Sequence, residues 1–436
     1  MQKEAAWLLE ELTQLIGKEV IDEATAARLR AHYAAAAKEA GSRLGWGMIL
    51  LATGGAALVG LGIILIFAHN WENWTPDVRV GLSLLPLLAG QGASAWALRR
   101  GDRVWSEAAG LFTAIAIGAS IALIAQTYQM GGDLPRFLLT WLLLAIPLVY
   151  LLDSSAVASL CWLLALGWTM AGAHWMWGRA HEEVPGALRL PLFLILFALP
   201  LPHLLRHIRL DPAGARVAWM LRTALAAVAI GLVFVGHSDY RDALFLVYAS
   251  LAATAALAGQ RYFAGVHGAW GNPLRSVGRF GVFLLAVIAT SDDALRELDW
   301  PLQSSLLVLP LVLGGAAGWL AWLEFGAGDR LLAPLLGVFA PVMFLLPLLA
   351  DSSTPLAVIL AHAYALALAA AMIRTGLTRA QFGLANQGVA LIAAMILVRF
   401  FDSDLSYVVR GVGFIVTGAG FFVATLWLRR RVKATS

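Results

Sequence analysis

In this 436-residue chain, the stretch "AHNWENWTPD" (68–77) gathers the side-chain types best suited to chemistry. His69 and Glu72, one turn apart on a continuing helix, pair an imidazole with a carboxylate, a combination able to move a proton or grip a polar head group. Asn70, Trp71 and Trp74 add an amide and two indoles. The same residues also suit the end of a membrane span. Indoles settle in the head-group layer, Asn70 can bond the last free carbonyls of a helix, and Pro76 stops its continuation. Glu72 and Asp77 would then sit at the start of the next helix, where negative charge is favoured. Both readings stay open at the level of sequence.

A candidate polar pocket extends this set with Gln91, Gln126, Tyr128, His362, Asn386 and Gln387, which interrupt otherwise apolar runs. Polar groups inside a bilayer are costly and tend to mark binding sites or pathways. In "SEAAGLFTAIAIGASIALIAQTYQMGGD", Gly110, Ala114, Gly118 and Ala122 recur every four residues, a smooth face for close helix packing. Gln126 continues that face. Metal and cofactor motifs are missing. His69, His174, His181 and His237 lack H-E-x-x-H or comparable ligand spacing, so no metal and no cofactor is expected. Neither G-x-S-x-G nor G-x-x-x-x-G-K occurs, and enzymatic activity is not expected. The single cysteine, Cys161, lies in an apolar run and can form no intrachain disulfide.

The elements that must hold these residues follow from composition. With 60% hydrophobic and 13% charged residues, the chain has too little charge to wet a globule of its size. An all-α integral membrane protein is expected. Apolar runs long enough to cross a hydrocarbon core of about 30 Å number fourteen, an even count being favoured: 44–68, 78–98, 105–127, 135–152, 155–173, 187–205, 217–236, 243–259, 277–291, 302–323, 331–350, 355–374, 382–400 and 406–428. The run 277–291 is short enough to be re-entrant. Before them, residues 1–42 carry two amphipathic patterns that read as a cytosolic helical hairpin. The expected organisation is this hairpin, a four-span unit over 43–152, some ten further spans over 153–428 and a basic tail over 429–436.

Lys and Arg set the orientation. With both termini cytosolic, 23 of the 31 basic residues fall inside and 8 outside, whereas the 27 acidic residues split 13 to 14. The net charge of +4 therefore belongs to membrane topology, and nucleic acid is not an expected partner.

The charged helical N-terminus, the first span ending in Asn70-Trp71, and the third span closing as "IALIAQTYQMGGD" resemble the bacterial membrane proteins grouped as domain of unknown function 2157. The similarity is best over 1–150, and the last spans look like the C-terminal part of longer members. The resemblance implies a polytopic protein of the bacterial inner membrane. It implies no activity and transfers no catalytic residue.

The expected function is a carrier or flippase-like protein for an amphiphilic or lipid-linked substrate, with membrane lipids as partners. Such a protein needs small-residue faces and a few mid-depth polar groups more than it needs buried charge. One alternative is an envelope sensor or scaffold that meets a cytosolic protein through residues 1–40. Another is a membrane enzyme working at the outer face with Glu72 and His69. Oligomeric state is not legible in the sequence.

Overall fold

A chain inside hydrocarbon finds no water for its peptide groups, so each must be bonded within its own segment, and the helix is the solution open to a single run. The computed structural model describes residues 15–16, 20, 22–29, 73–131, 133–172, 186–236, 241–266, 271–296, 307–379 and 381–402, and among these there are helices and no strand. The chain divides into two compact units, residues 1–81 and 82–436. Of the expected hairpin, residues 15–16, 20 and 22–29 are described, and 15–16 and 23–29 are helical. The expected spans 44–68 and 406–428 lie outside the described residues.

The helices are α1 Pro76–Arg100, α2 Arg103–Thr127, α3 Leu134–Leu151, α4 Ser155–Ala171, α5 Gly186–Ala198, α6 Leu201–Leu210, α7 Ala215–Gly236 and α8 Arg241–Tyr262. They continue as α9 Pro273–Ile288, α10 Asp292–Arg296, α11 Val308–Gly326, α12 Leu332–Gly337, α13 Phe339–Thr378 and α14 Phe382–Asp402. Eight helical segments among the described residues are long and apolar enough to cross a membrane, and three shorter apolar ones accompany them. This is a multi-pass, all-α membrane protein.

Helix starts follow local chemistry. The Asp102 carboxylate accepts from the backbone N–H of Val104 at 2.9 Å and opens α2. Ser154 caps α4 through Val157 N–H at 3.3 Å. Asn272 accepts from Arg275 N–H at 3.0 Å, with Pro273 in the first turn of α9.

Two expected spans are not continuous helices. The run 187–205 breaks after Ala198, and 331–350 breaks after Gly337. A proline explains each: Pro202 and Pro341 have no N–H to return to the carbonyls of Ala198 and Gly337, four residues back. In the same way Pro355 has no N–H for the carbonyl of residue 351, and α13 bends at Ser353, where φ is −158° and ψ is 92°. The arms on either side are Phe339–Ala350 and Ser353–Thr378.

Two apolar cores fill the 82–436 unit. One lies among α2 to α8 and includes Trp162, Phe193 and Met220, all without exposed surface. The other joins α8 to α14 around Leu257, Phe339 and Leu368. The helix common to both is α8, whose sequence "YASLAATAALAG" presents methyl-sized side chains to its neighbours. The α8–α9 contact is close enough for backbones to meet. A Cβ on Gly278 would collide with the backbone N of Ala256. In α2, Gly110, Ala114 and Gly118 are buried while Ala122 is exposed. The Trp141 indole covers Gly118 and donates to Ala114 O at 2.6 Å.

Gly278→Ala forces α8 and α9 apart, and Gly118→Ala displaces Trp141 from its hydrogen bond. Each is expected to cost about 1–3 kcal/mol. The control Gly315→Ala, where nothing lies within 4 Å, should leave the protein as stable or slightly more so. Thermal denaturation in detergent measures all three.

Candidate functional site

Successive spans run in opposite directions, α5 and α6 forming one interrupted span, so the start of α2, the α3–α4 turn, α6 and the start of α7 come to one end of the bundle. There they build a polar hub from sequence-distant residues. Asp153 occupies the α3–α4 turn with a left-handed backbone, φ 51°, a region that Asp and Asn tolerate better than most residues. Its Oδ1 lies 3.1 Å from His207 Nε2 and 3.6 Å from His203 Nδ1. Arg206 reaches the same oxygen at 3.3 Å, while Arg103 and Arg216 stand 3.7 Å from Oδ2.

Glu107, one turn into α2, closes the other side of the hub. Its carboxylate accepts from Ser154 Oγ at 2.6 Å and from the N–H groups of Ser155 and Ala156 at 3.0 and 2.9 Å. These are free donors at the start of α4. Arg216 donates to Glu107 Oε1 at 2.7 Å, to Ser155 Oγ at 2.8 Å and to the carbonyl of Asp153. One guanidinium thus ties three helices together.

Burial alone would raise the pKa of Asp153. The hydrogen bond and charge of His207, with the charges of Arg216 and His203, outweigh it and hold the carboxyl below its ordinary value. Asp153, His203 and His207 also offer ligand atoms within 4.8 Å of one another, a donor set that zinc uses. Arginines 103, 206 and 216 stand against that same carboxylate, however, and their charge opposes a dication. The set fits a hydrogen-bonded ionic hub better than a metal centre.

A second hub occupies the same end of later helices. Gln260 at the end of α8 donates to Glu324 Oε2 at 3.0 Å and to Asp329 Oδ2 at 2.8 Å. Arg261 pairs with Glu324 at 3.5 Å and Arg379 with Asp329 at 3.4 Å. Asp329 Oδ1 accepts from Leu332 N–H at 3.1 Å at the start of α12.

The opposite end of the first group holds a cavity of about 280 Å³ among α3, α4, α5 and α7. Leu139, Trp168, Leu192, Leu196, Phe234 and Val235 form most of its wall, and Asp133, Arg136 and Arg189 supply charge. Arg136 lies 3.9 Å from Asp133.

The residues expected to form a polar pocket lie elsewhere. His69, Asn70, Trp71 and Glu72 are outside the described residues. Trp74 is half-buried, and its carbonyl accepts from Arg79 Nε at 2.9 Å. Gln91, Gln126, Tyr128 and Asn386 are exposed on three different helices or their ends. His362 has its Nδ1 2.8 Å from Val358 O in its own helix. Gln387 is half-buried, with Oε1 lacking a hydrogen-bond partner. The structure does not bring these described residues together, and none lines the cavity. The hub residues His203 and His207 were not singled out from sequence, although "HLLRH" spaces two histidines four apart on one helical face.

Residues 13–158 match the family described as Predicted membrane protein (DUF2157), the family the sequence resembles. The match covers about a third of the chain, from the N-terminal segment through α1 to α3 and the Asp153 turn. No curated protein and no solved structure matches the chain.

Arg216→Gln removes the guanidinium that lies 2.7 Å from Glu107 and 3.7 Å from Asp153. A loss of about 2 kcal/mol is expected, less than for a fully buried pair, because 23% and 24% of the Arg216 and Glu107 side chains meet solvent. Asp153, with its depressed pKa, stabilises the fold above the ordinary carboxylate value, and that contribution is lost as pH falls below about 4. Thermal midpoints measured across that range should fall for the wild type and fall less for Asp153→Asn.

Proposed function

We propose that this membrane protein is a carrier of the flippase type for an amphiphile with an anionic head group. It sits in the bacterial inner membrane with both termini and both polar hubs on the cytosolic side. The observation that carries the reading is the cavity at the end of α3, α4, α5 and α7 remote from the hubs. Its wall is aliphatic and aromatic, and Arg136 and Arg189 are the groups suited to a phosphate or carboxylate. An amphiphile needs both kinds of surface side by side. At about 280 Å³, the cavity is near the lower limit of small-molecule sites and suits a head group with the first part of a chain.

Orientation is supported by the arginines. Hub arginines 103, 206, 216, 261 and 379 lie at one helix end, which the positive-inside rule places in the cytosol. The cavity then opens on the outer leaflet. Such a carrier moves its cargo without making or breaking a bond, in keeping with a sequence that lacks a catalytic motif. The Gln91, Gln126, His362 and Asn386 groove expected from sequence is not part of this reading, because those side chains do not converge.

The test uses proteoliposomes containing fluorescent phosphatidylglycerol or fluorescent phosphatidylcholine and a membrane-impermeant quencher. Wild-type protein should expose the inner-leaflet label, faster for the acidic lipid. Leu192→Trp, which fills the cavity, should slow this about tenfold, and Arg136→Gln/Arg189→Gln should erase the preference for negative charge. Equal rates in empty and protein-bearing vesicles, or an unaffected Leu192→Trp variant, would overturn the reading.

A further inference from the structure

The turn between α11 and α12 is built on Gly328, whose φ of 100° suits glycine alone among ordinary residues. The chain reverses there, and the N–H of Asp329 returns to Glu324 O at 3.0 Å. Asp329 is 3% exposed, and its oxygens are occupied by Gln260, Arg379 and the N–H groups of Leu332 and Ala333. The turn faces the last helical turn of α13 across a cleft of about 300 Å³. Asp329, Arg330, Arg374, Thr375, Thr378 and Arg379 line that cleft.

The charge of this region is unbalanced. Five arginines, at 261, 279, 330, 374 and 379, stand near two acids, Glu324 and Asp329, and a sixth, Arg275, lies beside Arg279. That leaves an excess of four positive charges. Glu324 pairs with Arg261 and Asp329 with Arg379. No carboxylate among the described residues lies within ion-pair distance of Arg279, Arg330 or Arg374. Arg279 lies within electrostatic reach of Arg275, Asp329 and Arg379, and its Nε is buried without a hydrogen-bond partner. Like charges gathered around a recess repel one another, and an anion seated among them relieves the repulsion.

We infer that the cleft between the α11–α12 turn and the end of α13 binds a phosphate group, held by Arg330 and Arg374 with Arg379 and the threonine hydroxyls beside them. Guanidinium groups offer paired N–H donors that match phosphate oxygens two at a time. The cleft is large enough for a phosphate ester or a diphosphate. Its place at the basic end of the helices makes two sources available, the head group of an acidic lipid in the facing leaflet and a soluble phosphate compound. This site goes beyond the carrier reading and stands without it, since it lies at the other end of the helices from the cavity.

The test uses the full chain in an uncharged detergent, titrated separately with inorganic pyrophosphate, phosphatidylglycerol and phosphatidylcholine, with thermal stability and equilibrium binding as readouts. Binding of phosphatidylglycerol but not pyrophosphate assigns a lipid head group, and binding of pyrophosphate assigns a soluble ligand. In either case Arg330→Gln/Arg374→Gln should weaken binding about tenfold or more. Arg330→Lys/Arg374→Lys should fall between, keeping charge but losing the paired donors. Arg99→Gln/Arg209→Gln, two exposed arginines at the same end, should bind like wild type. Indifference to both anions, a glutamine pair that binds normally, or equal loss in the Arg99/Arg209 control would overturn the inference.

Discussion

Hydrocarbon cannot satisfy a peptide group, and that constraint shapes the rest of the molecule. It makes every described crossing a helix and pushes unsatisfied donors and acceptors to the helix ends. Where an expected span is interrupted, an N–H is missing, at Pro202, Pro341 and Pro355. The side chains then complete what the backbone leaves open. Trp141 donates to Ala114 O, Trp162 to Phe197 O and Tyr364 to Leu335 O, at 2.6, 3.0 and 2.6 Å. In each case a large ring buries its apolar face and brings its one polar atom to a neighbouring backbone.

The two hubs apply the same logic at the basic end. Glu107 and Asp329 both accept from free N–H groups at the start of another helix, and an arginine or glutamine from a third element joins them. Because the donors are backbone groups held by a helix, the carboxylates are positioned without long, flexible partners. Arg216 is 23% exposed, so its bonds are screened far less than those of Arg206 at 65%. The first hub therefore rests on Arg216 and Glu107 more than on the outer arginines around Asp153.

Much of this architecture could be read from the sequence, for a simple reason. A span is defined by the length of an apolar run, and run length survives without knowledge of contacts. Breaks after Ala198 and Gly337 were hidden because averaging over a span conceals one missing N–H, though each proline stands four residues beyond the carbonyl it fails to serve. The site was harder to read. A helix that is apolar all round gives no hint of which face meets protein, and Gln91, Gln126 and Asn386, candidates for a polar pocket by sequence, are exposed. Arg216 and Asp153 enter the sequence reading only as charges that set orientation, and His203 and His207 show there only as two histidines spaced four apart. Their meeting depends on α3, α6 and α7 ending at one level, a fact of tertiary packing that no local pattern encodes.

The placement of α8 in both apolar cores has a mechanical consequence. Displacement between the α2–α7 group and the α9–α14 group acts on this rod and on α9 together, since α7 touches both and Leu274 of α9 packs on the first core. Its alanines have no rotamers to change, but Tyr248 donates to Ala229 O of α7 and Thr254 to Leu313 O of α11, so neither neighbour slides without breaking a hydrogen bond. The direct backbone approach at Gly278 fixes α9 to the rod far more firmly. The α8–α9 pair is thus the stiffest part of the bundle, and the helices around the cavity are anchored to it through α7.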